Sequence, residues 1–156
     1  MKKILFLDFD GVITTLKSRW CLCPKKLELL RQVVDNEDVY IVISSSWRKD
    51  NIENTIKSLI DKENPYCNGI EFPFCDKIIG VTKRILSNRM SERPIRGEEI
   101  KLWLRDNINN EPYRYCILDD DIDILDEQLP YFVNTNWEEG LLVEDVEKVK
   151  IILDIK

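Results

Sequence analysis

Three short apolar runs, each closed by acids or hydroxyls, constrain the fold of this chain more than any other feature. Ile4 to Leu7 runs into Asp8-Phe9-Asp10-Gly11, Val39 to Ile43 into Ser44-Ser45-Ser46, and Tyr115 to Leu118 into Asp119-Asp120-Asp121. Continuous apolar runs without alternation suit strands covered on both faces, as in a parallel sheet between helices. Helical periodicity fills the intervals. Leu27, Leu30, Val33 and Val34 make one such face after Pro24, which suits a first helical turn. Ile52, Ile56, Leu59 and Ile60 make a second, with Asp50 and Glu53 resembling a capping box. Ile100, Trp103, Leu104 and Ile108 predict a helix over Gly97–Ile108, and Leu142, Val146, Val149 and Leu153 a closing one. Lys77–Val81 and Tyr131–Val133 read as further strands, and Asn64–Phe74, with Pro65, Gly69 and Pro73, as loop. The expected fold is α/β, a mainly parallel five-stranded sheet flanked by helices. Right-handed crossovers bring the strand C-termini to one edge, where ligands bind in such sheets.

Residues 1–156 read as a single domain without repeat or linker. Hydrophobic residues at 44% and charged residues at 33% match a folded, water-exposed domain. The apolar run after Lys2-Lys3 is too short for a signal peptide and ends in Asp8, so it reads as a strand. No run approaches the roughly 18 apolar residues of a membrane span. A cytoplasmic protein is the expectation, and the five scattered cysteines read as reduced thiols rather than a zinc site. The net charge of -6 argues against nucleic-acid binding through overall charge. Histidine is absent, which excludes Ser-His-Asp and Cys-His catalysis and histidine-bound zinc.

The strand ends carry the chemistry that is left. Residues i and i+2 of a strand face the same way, about 6–7 Å apart, so Asp8 and Asp10 can address one site, and Gly11 lets the chain turn beside them. Carboxylates from the fourth strand end would crowd negative charge there, at a cost that a hard divalent cation removes. A carboxylate beside Mg²⁺ can attack phosphorus, while a second serves as acid and then base. A lone Asp-x-Asp after a strand is often only a solvated turn. The ordered set with Gly11, Ser44 and Asp119 outweighs that reading.

The chain resembles the haloacid dehalogenase (HAD) superfamily of phosphatases. Leu5-Phe6-Leu7-Asp8-Phe9-Asp10-Gly11-Val12 is similar to its first motif, Ile41-Val42-Ile43-Ser44 to its second and Cys116-Ile117-Leu118-Asp119-Asp120 to its fourth. The resemblance implies a Rossmann-like HAD fold, with Asp8 as nucleophile and metal ligand. It implies Asp10 as general acid/base and, through its backbone carbonyl, a metal ligand. Ser44, with Ser45 beside it, would hold the phosphoryl group. Asp120 would ligate Mg²⁺ directly, and Asp119 and Asp123 would support it. The family's third motif usually carries Lys. Here Arg96 is the first candidate and Lys83 the second. A narrower resemblance rests on Ile43-Ser44-Ser45-Ser46-Trp47-Arg48, Arg96-Gly97-Glu98-Glu99-Ile100, Leu118-Asp119-Asp120-Asp121 and Glu139-Gly140-Leu141. It is to compact HAD domains associated with nucleic-acid repair proteins.

The superfamily selects substrates largely through cap domains. The segment from Gly11 to Asp38 must supply a helix as well and leaves no room for a large cap. An open site resembles that of family members acting on bulky substrates, such as nucleic-acid ends or phosphoproteins, and the leading expectation is a phosphomonoesterase acting on nucleic-acid ends or nucleotides. From Lys83 to Arg96 five cationic residues, Arg89 and Arg93 among them, face one acidic residue, which reads either as a polyanion site or as an ordinary exposed loop. Trp47 and Trp103 read as core or rim residues and Arg48 as a substrate contact or a surface ion pair. The alternatives are a small-metabolite phosphatase with Asn64–Phe74 as lid, and a non-catalytic module that binds metal and phosphate.

Overall fold

The computed structural model describes residues 1–85 and 95–156. Five parallel strands form one sheet in the order β3-β2-β1-β4-β5. They are β1 (Lys2–Leu7), β2 (Val39–Ile43), β3 (Ile78–Val81), β4 (Tyr113–Asp119) and β5 (Phe132–Asn134). The helices are α1 (Pro24–Val34), α2 (Ile52–Leu59), α3 (Ile95–Asn107) and α4 (Val143–Leu153). Among the described residues no helix is long and apolar enough to cross a membrane. All five cysteines are free thiols.

The pleat of β1 splits the core into two layers. Leu5 and Leu7 face one layer with Leu30 and Val34 of α1 and Val146 and Val149 of α4. Ile4 and Phe6 face the other with Ile100 and Trp103 of α3. Each of these β1 side chains is fully buried, as the unbroken apolar run requires. The ladder continues one residue beyond the strands: the Asp8 amide donates to the Leu118 carbonyl, Ser44 to Leu7 and Thr82 to Ile43. Asp8, Ser44 and Thr82 therefore stand level at the C-terminal edge of the sheet.

Several boundaries differ from expectation for identifiable reasons. The α2 cap is Asn51, not Asp50: the Asn51 side chain accepts from the Asn54 amide. Lys77 closes a 3₁₀ turn, so β3 begins at Ile78. Helix α3 already includes Ile95 and Arg96, ahead of the expected Gly97, and Asp123 accepts from their amides at 2.9 and 3.2 Å. Asn64–Phe74 contains a 3₁₀ turn, Pro65–Cys67, and sends Cys67, Phe72 and Phe74 into the core. Between β1 and α1 the chain forms only a compact loop, tied by Gly11, Val12, Ile13 and Thr14 amides to the carbonyls of Thr14 and Phe9.

Candidate active site

Asp8 directly follows β1 and Asp119 closes the neighbouring β4, with Asp120 one residue further. One carboxylate oxygen from each of the three lies within 4.8 Å of the others. Asp8 and Asp119 are buried and Asp120 is half-buried. Gly11 makes the approach of Asp120 possible. Its φ of +79° is in the left-handed region, and a Cβ there would collide with the Asp120 carboxylate. One oxygen of Asp119, Oδ1, accepts from the Asp121 amide at 3.0 Å. The other, Oδ2, is buried and takes no hydrogen bond among the described residues.

Arg96 enters from the first turn of α3. Its Nη1 lies 3.6 Å from Asp8 Oδ1 and 3.4 Å from Asp119 Oδ2, and it also donates to the Ser44 carbonyl. Two buried carboxylates thus share one guanidinium. Burial, together with repulsion from Asp119, holds the Asp8 carboxyl well above the usual carboxylate range, against the pull of Arg96. Burial likewise pushes Asp119 up to about 6. Two desolvated carboxyls that do not ionise easily, one of them with a buried oxygen that takes no hydrogen bond among the described residues, fit a bound cation. The donors are hard oxygens, which suits Mg²⁺.

Asp10 points elsewhere. Its Oδ1 accepts from Thr14 Oγ1 at 2.8 Å and from Trp47 Nε1 at 3.0 Å, and its side chain borders a cavity with Trp20, Trp47 and Tyr66. Ser44 is fully buried, and among the described residues its hydroxyl has no hydrogen-bond partner. Ser45 is buried too, but its hydroxyl accepts from the Trp47 amide, so it shapes the turn.

Residues 4–146 match the family described as HAD domain in Swiss Army Knife RNA repair proteins. The chain belongs to that family. No curated protein and no solved structure matches it significantly. The compact HAD fold of repair proteins implied by the sequence motifs is therefore the fold of this chain.

Within this HAD domain the sequence-derived candidates separate. Asp8, Asp119, Asp120 and Arg96 converge, with the Ser44 carbonyl against Arg96. Asp123 does not join the carboxylate group: its two oxygens cap α3, which fixes Arg96 in place. Lys83 is exposed and lines a groove with Lys49 and Arg84, while Arg96 occupies the position beside Asp8. Arg89 and Arg93 lie outside the described residues.

Sequence reasoning missed one buried pair. Arg48 does not form a surface ion pair; it is 4% exposed and meets Glu99 at 2.6 Å. Its other nitrogens donate to the carbonyls of Ser44, Ser45 and Thr82, stapling the ends of β2 and β3. Glu99 lies three residues after Arg96 and one before Ile100, on the inward face of α3. A charge on an apolar helical face was the available signal. Trp47 is a rim residue, as expected, but its bond to Asp10 had no sequence signature.

Proposed function

We propose that this HAD domain is an Mg²⁺-dependent phosphomonoesterase that works through an aspartyl-phosphate on Asp8 and acts on nucleic-acid ends or nucleotides. The observation that carries the reading is the convergence of Asp8, Asp119 and Asp120 with Arg96 at one strand edge. Asp8, Asp119 and Asp120, with the Asp10 backbone carbonyl, would hold Mg²⁺. When bound, the ion offsets the carboxylates' mutual repulsion and favours ionised Asp8 as an anionic ester approaches.

The chain's own groups then divide the work. The Asp8 carboxylate attacks phosphorus, and the bond from phosphorus to the ester oxygen breaks. Asp10 gives a proton to that departing oxygen. Thr14 and Trp47 both hold Oδ1 of Asp10, and Oδ2 is the oxygen that carries the proton. Asp10, now ionised, takes a proton from water. The resulting hydroxide attacks phosphorus, the bond to Asp8 breaks, and inorganic phosphate leaves. Arg96 and the free Ser44 hydroxyl hold the non-bridging oxygens, where charge is greatest during both transfers.

Access supports a bulky substrate. Only the compact loop after β1 precedes α1, and Phe72 and Phe74 tie residues 64–74 into the core rather than leaving them free to close as a lid. The test is release of phosphate from 3′- and 5′-phosphorylated oligonucleotides, sugar phosphates and an aryl phosphate, with Mg²⁺ or EDTA. Asp8→Asn should abolish turnover by several orders of magnitude with the fold intact. Near-normal turnover by that variant, or full activity in EDTA, would refute the mechanism. Preference for sugar phosphates over both oligonucleotides would refute the substrate class.

A further inference from the structure

A cavity of about 550 Å³ opens beside Asp10, and apart from Asp10 its walls take no part in the phosphoryl chemistry. Its volume lies within the roughly 300–1,000 Å³ of small-molecule sites. Three aromatic rings, Trp20, Trp47 and Tyr66, border it, with Lys49 and Asn64 among its polar groups. Trp47 and Tyr66 stand 6.0 Å apart between centroids. Trp47 is itself backed by Phe9 at 5.0 Å, and Trp20 by Trp137 at 6.2 Å.

Position tells what the cavity receives. A general acid must touch the oxygen that departs, so the alcohol half of the ester lies on the side that the Asp10 carboxyl faces. That side is this cavity, and the Trp47 indole spans from it to Asp10 at 3.0 Å.

The walls are also built to hold still. Arg19 and Trp20 are consecutive non-glycine residues at φ of +54° and +60°, a conformation that costs about 1–2 kcal/mol per residue. The surrounding bonds hold them there. The Trp20 amide donates to the Thr15 carbonyl, and Ser18 Oγ donates to the Cys21 carbonyl at 2.7 Å. The Leu22 amide donates to the Tyr66 carbonyl, joining the two walls. An exposed Tyr66 and a half-buried Trp20 on backbone tied by these bonds lose little entropy when a planar group stacks on them.

Charge extends the same surface. A second groove shares Ser46 and Lys49 with the cavity and adds Lys83 and Arg84. Arg84 is held there by the carbonyls of Ser46 and Arg48. Aromatic rings beside a cationic groove are the means by which proteins hold single-stranded nucleic acid.

We propose that the cavity bounded by Trp20, Trp47 and Tyr66 takes the terminal nucleoside of a single-stranded nucleic-acid end, its base stacked on these rings and the adjoining strand lying along Lys49, Lys83 and Arg84. This rests on the phosphatase reading for the direction of the leaving group. It goes further in requiring an unpaired base at the end that is processed.

The test uses a single-stranded oligonucleotide with a terminal phosphate, and its counterpart whose terminal residue is abasic. The wild-type chain should favour the base-bearing end by roughly tenfold or more in kcat/KM, since one stacked base is worth a factor of that order. Trp20→Ala and Tyr66→Ala should each raise KM for the base-bearing end and bring the ratio towards one, with far-ultraviolet circular dichroism verifying the fold. A blunt duplex end should be processed more slowly than the single strand. In parallel, Asp8→Asn should bind the base-bearing oligonucleotide more tightly than the abasic one, read by quenching of indole fluorescence. Equal kcat/KM for base-bearing and abasic ends by an active wild-type chain would overturn the pocket and leave the phosphatase standing. Base-dependent binding by Asp8→Asn without turnover by the wild type would support the pocket and overturn the phosphatase.

Discussion

Without a bound metal, the stability of this domain should depend on pH in a direction opposite to that of most buried ion pairs. Burial raises Asp119 to about 6 from an ordinary 3.8. The folded state therefore keeps a proton between those values that the unfolded chain releases. Stability from this group is complete below the unfolded pKa and is lost as pH rises through the folded one. A gap of roughly two units corresponds to about 3 kcal/mol. Asp8 is raised by the same burial and by Asp119, so its contribution has the same sign. Asp119→Asn removes the titration while keeping an acceptor for the Asp121 amide, which Asp119 Oδ1 now serves. Urea unfolding in EDTA from pH 4 to 7 should then show the wild type losing about 3 kcal/mol relative to the variant. Saturating Mg²⁺ at about 100 times Kd should return roughly 2.7 kcal/mol to the wild type at pH 7, and less to the variant. Parallel stability curves for the two proteins in EDTA, or a wild type indifferent to Mg²⁺, would refute the assignment of Asp119 to a desolvated metal cluster.

Three further outcomes follow from the geometry. Gly11→Ala puts a Cβ against the Asp120 carboxylate at a backbone φ of +79°; it should cost about 1–2 kcal/mol in thermal or urea unfolding and should weaken the stabilisation by Mg²⁺. Glu99→Ala strips the buried Arg48 of its counter-charge and should cost about 3–5 kcal/mol in urea unfolding; a loss below 1 kcal/mol would mean that water replaces Glu99 freely. Asp123→Ala removes the cap of α3 and should cost about 1 kcal/mol while leaving Mg²⁺ stabilisation intact, whereas a lost Mg²⁺ response would make Asp123 a ligand.

The parts of this architecture that were legible in the sequence are those written locally. Four apolar residues ending in Asp8 cannot satisfy an amphipathic helix, and a helical stripe such as Leu27, Leu30, Val33 and Val34 cannot lie flat in a strand. The convergence of Asp8 with Asp119 and Asp120 follows once β1 and β4 are parallel neighbours with Leu7 paired to Leu118. What local pattern does not contain is the far partner. The Ile95 amide of α3 donates to a carboxylate from a loop beyond β4, which no window around Ile95 includes. The Asp50–Glu53 pattern offered a plausible box, yet Asn51 sits where its side chain reaches the Asn54 amide. Trp47 could be placed at a rim from its neighbours, but its hydrogen bond to Asp10 depends on two strand ends meeting.

The segment after β4 fixes Arg96, the residue proposed for the place of the Lys usual in the wider superfamily. Asp119 and Asp120 supply two carboxylates, and three residues later Asp123 caps the helix that carries Arg96. Gly97 lets that helix sit directly on the same segment: its amide donates to the Asp123 carbonyl, and a Cβ there would strike the Leu125 amide and Gln128. Gln128 closes the joint, donating to the Gly97 carbonyl and accepting from the Leu125 amide at 2.9 Å each. Cation and anions are therefore set by one short piece of backbone rather than by two independent elements. A guanidinium is longer and flatter than an ammonium and needs its base held back and its plane fixed. Seating α3 on the 123–128 segment does the first, and the Ser44 carbonyl, held by Arg48, does the second. Arg48 is in turn neutralised by Glu99, one turn along the same helix as Arg96. A substitution anywhere in this chain of contacts should reach the Asp8 site through the position of Arg96, and activity is expected to be more sensitive than stability along it.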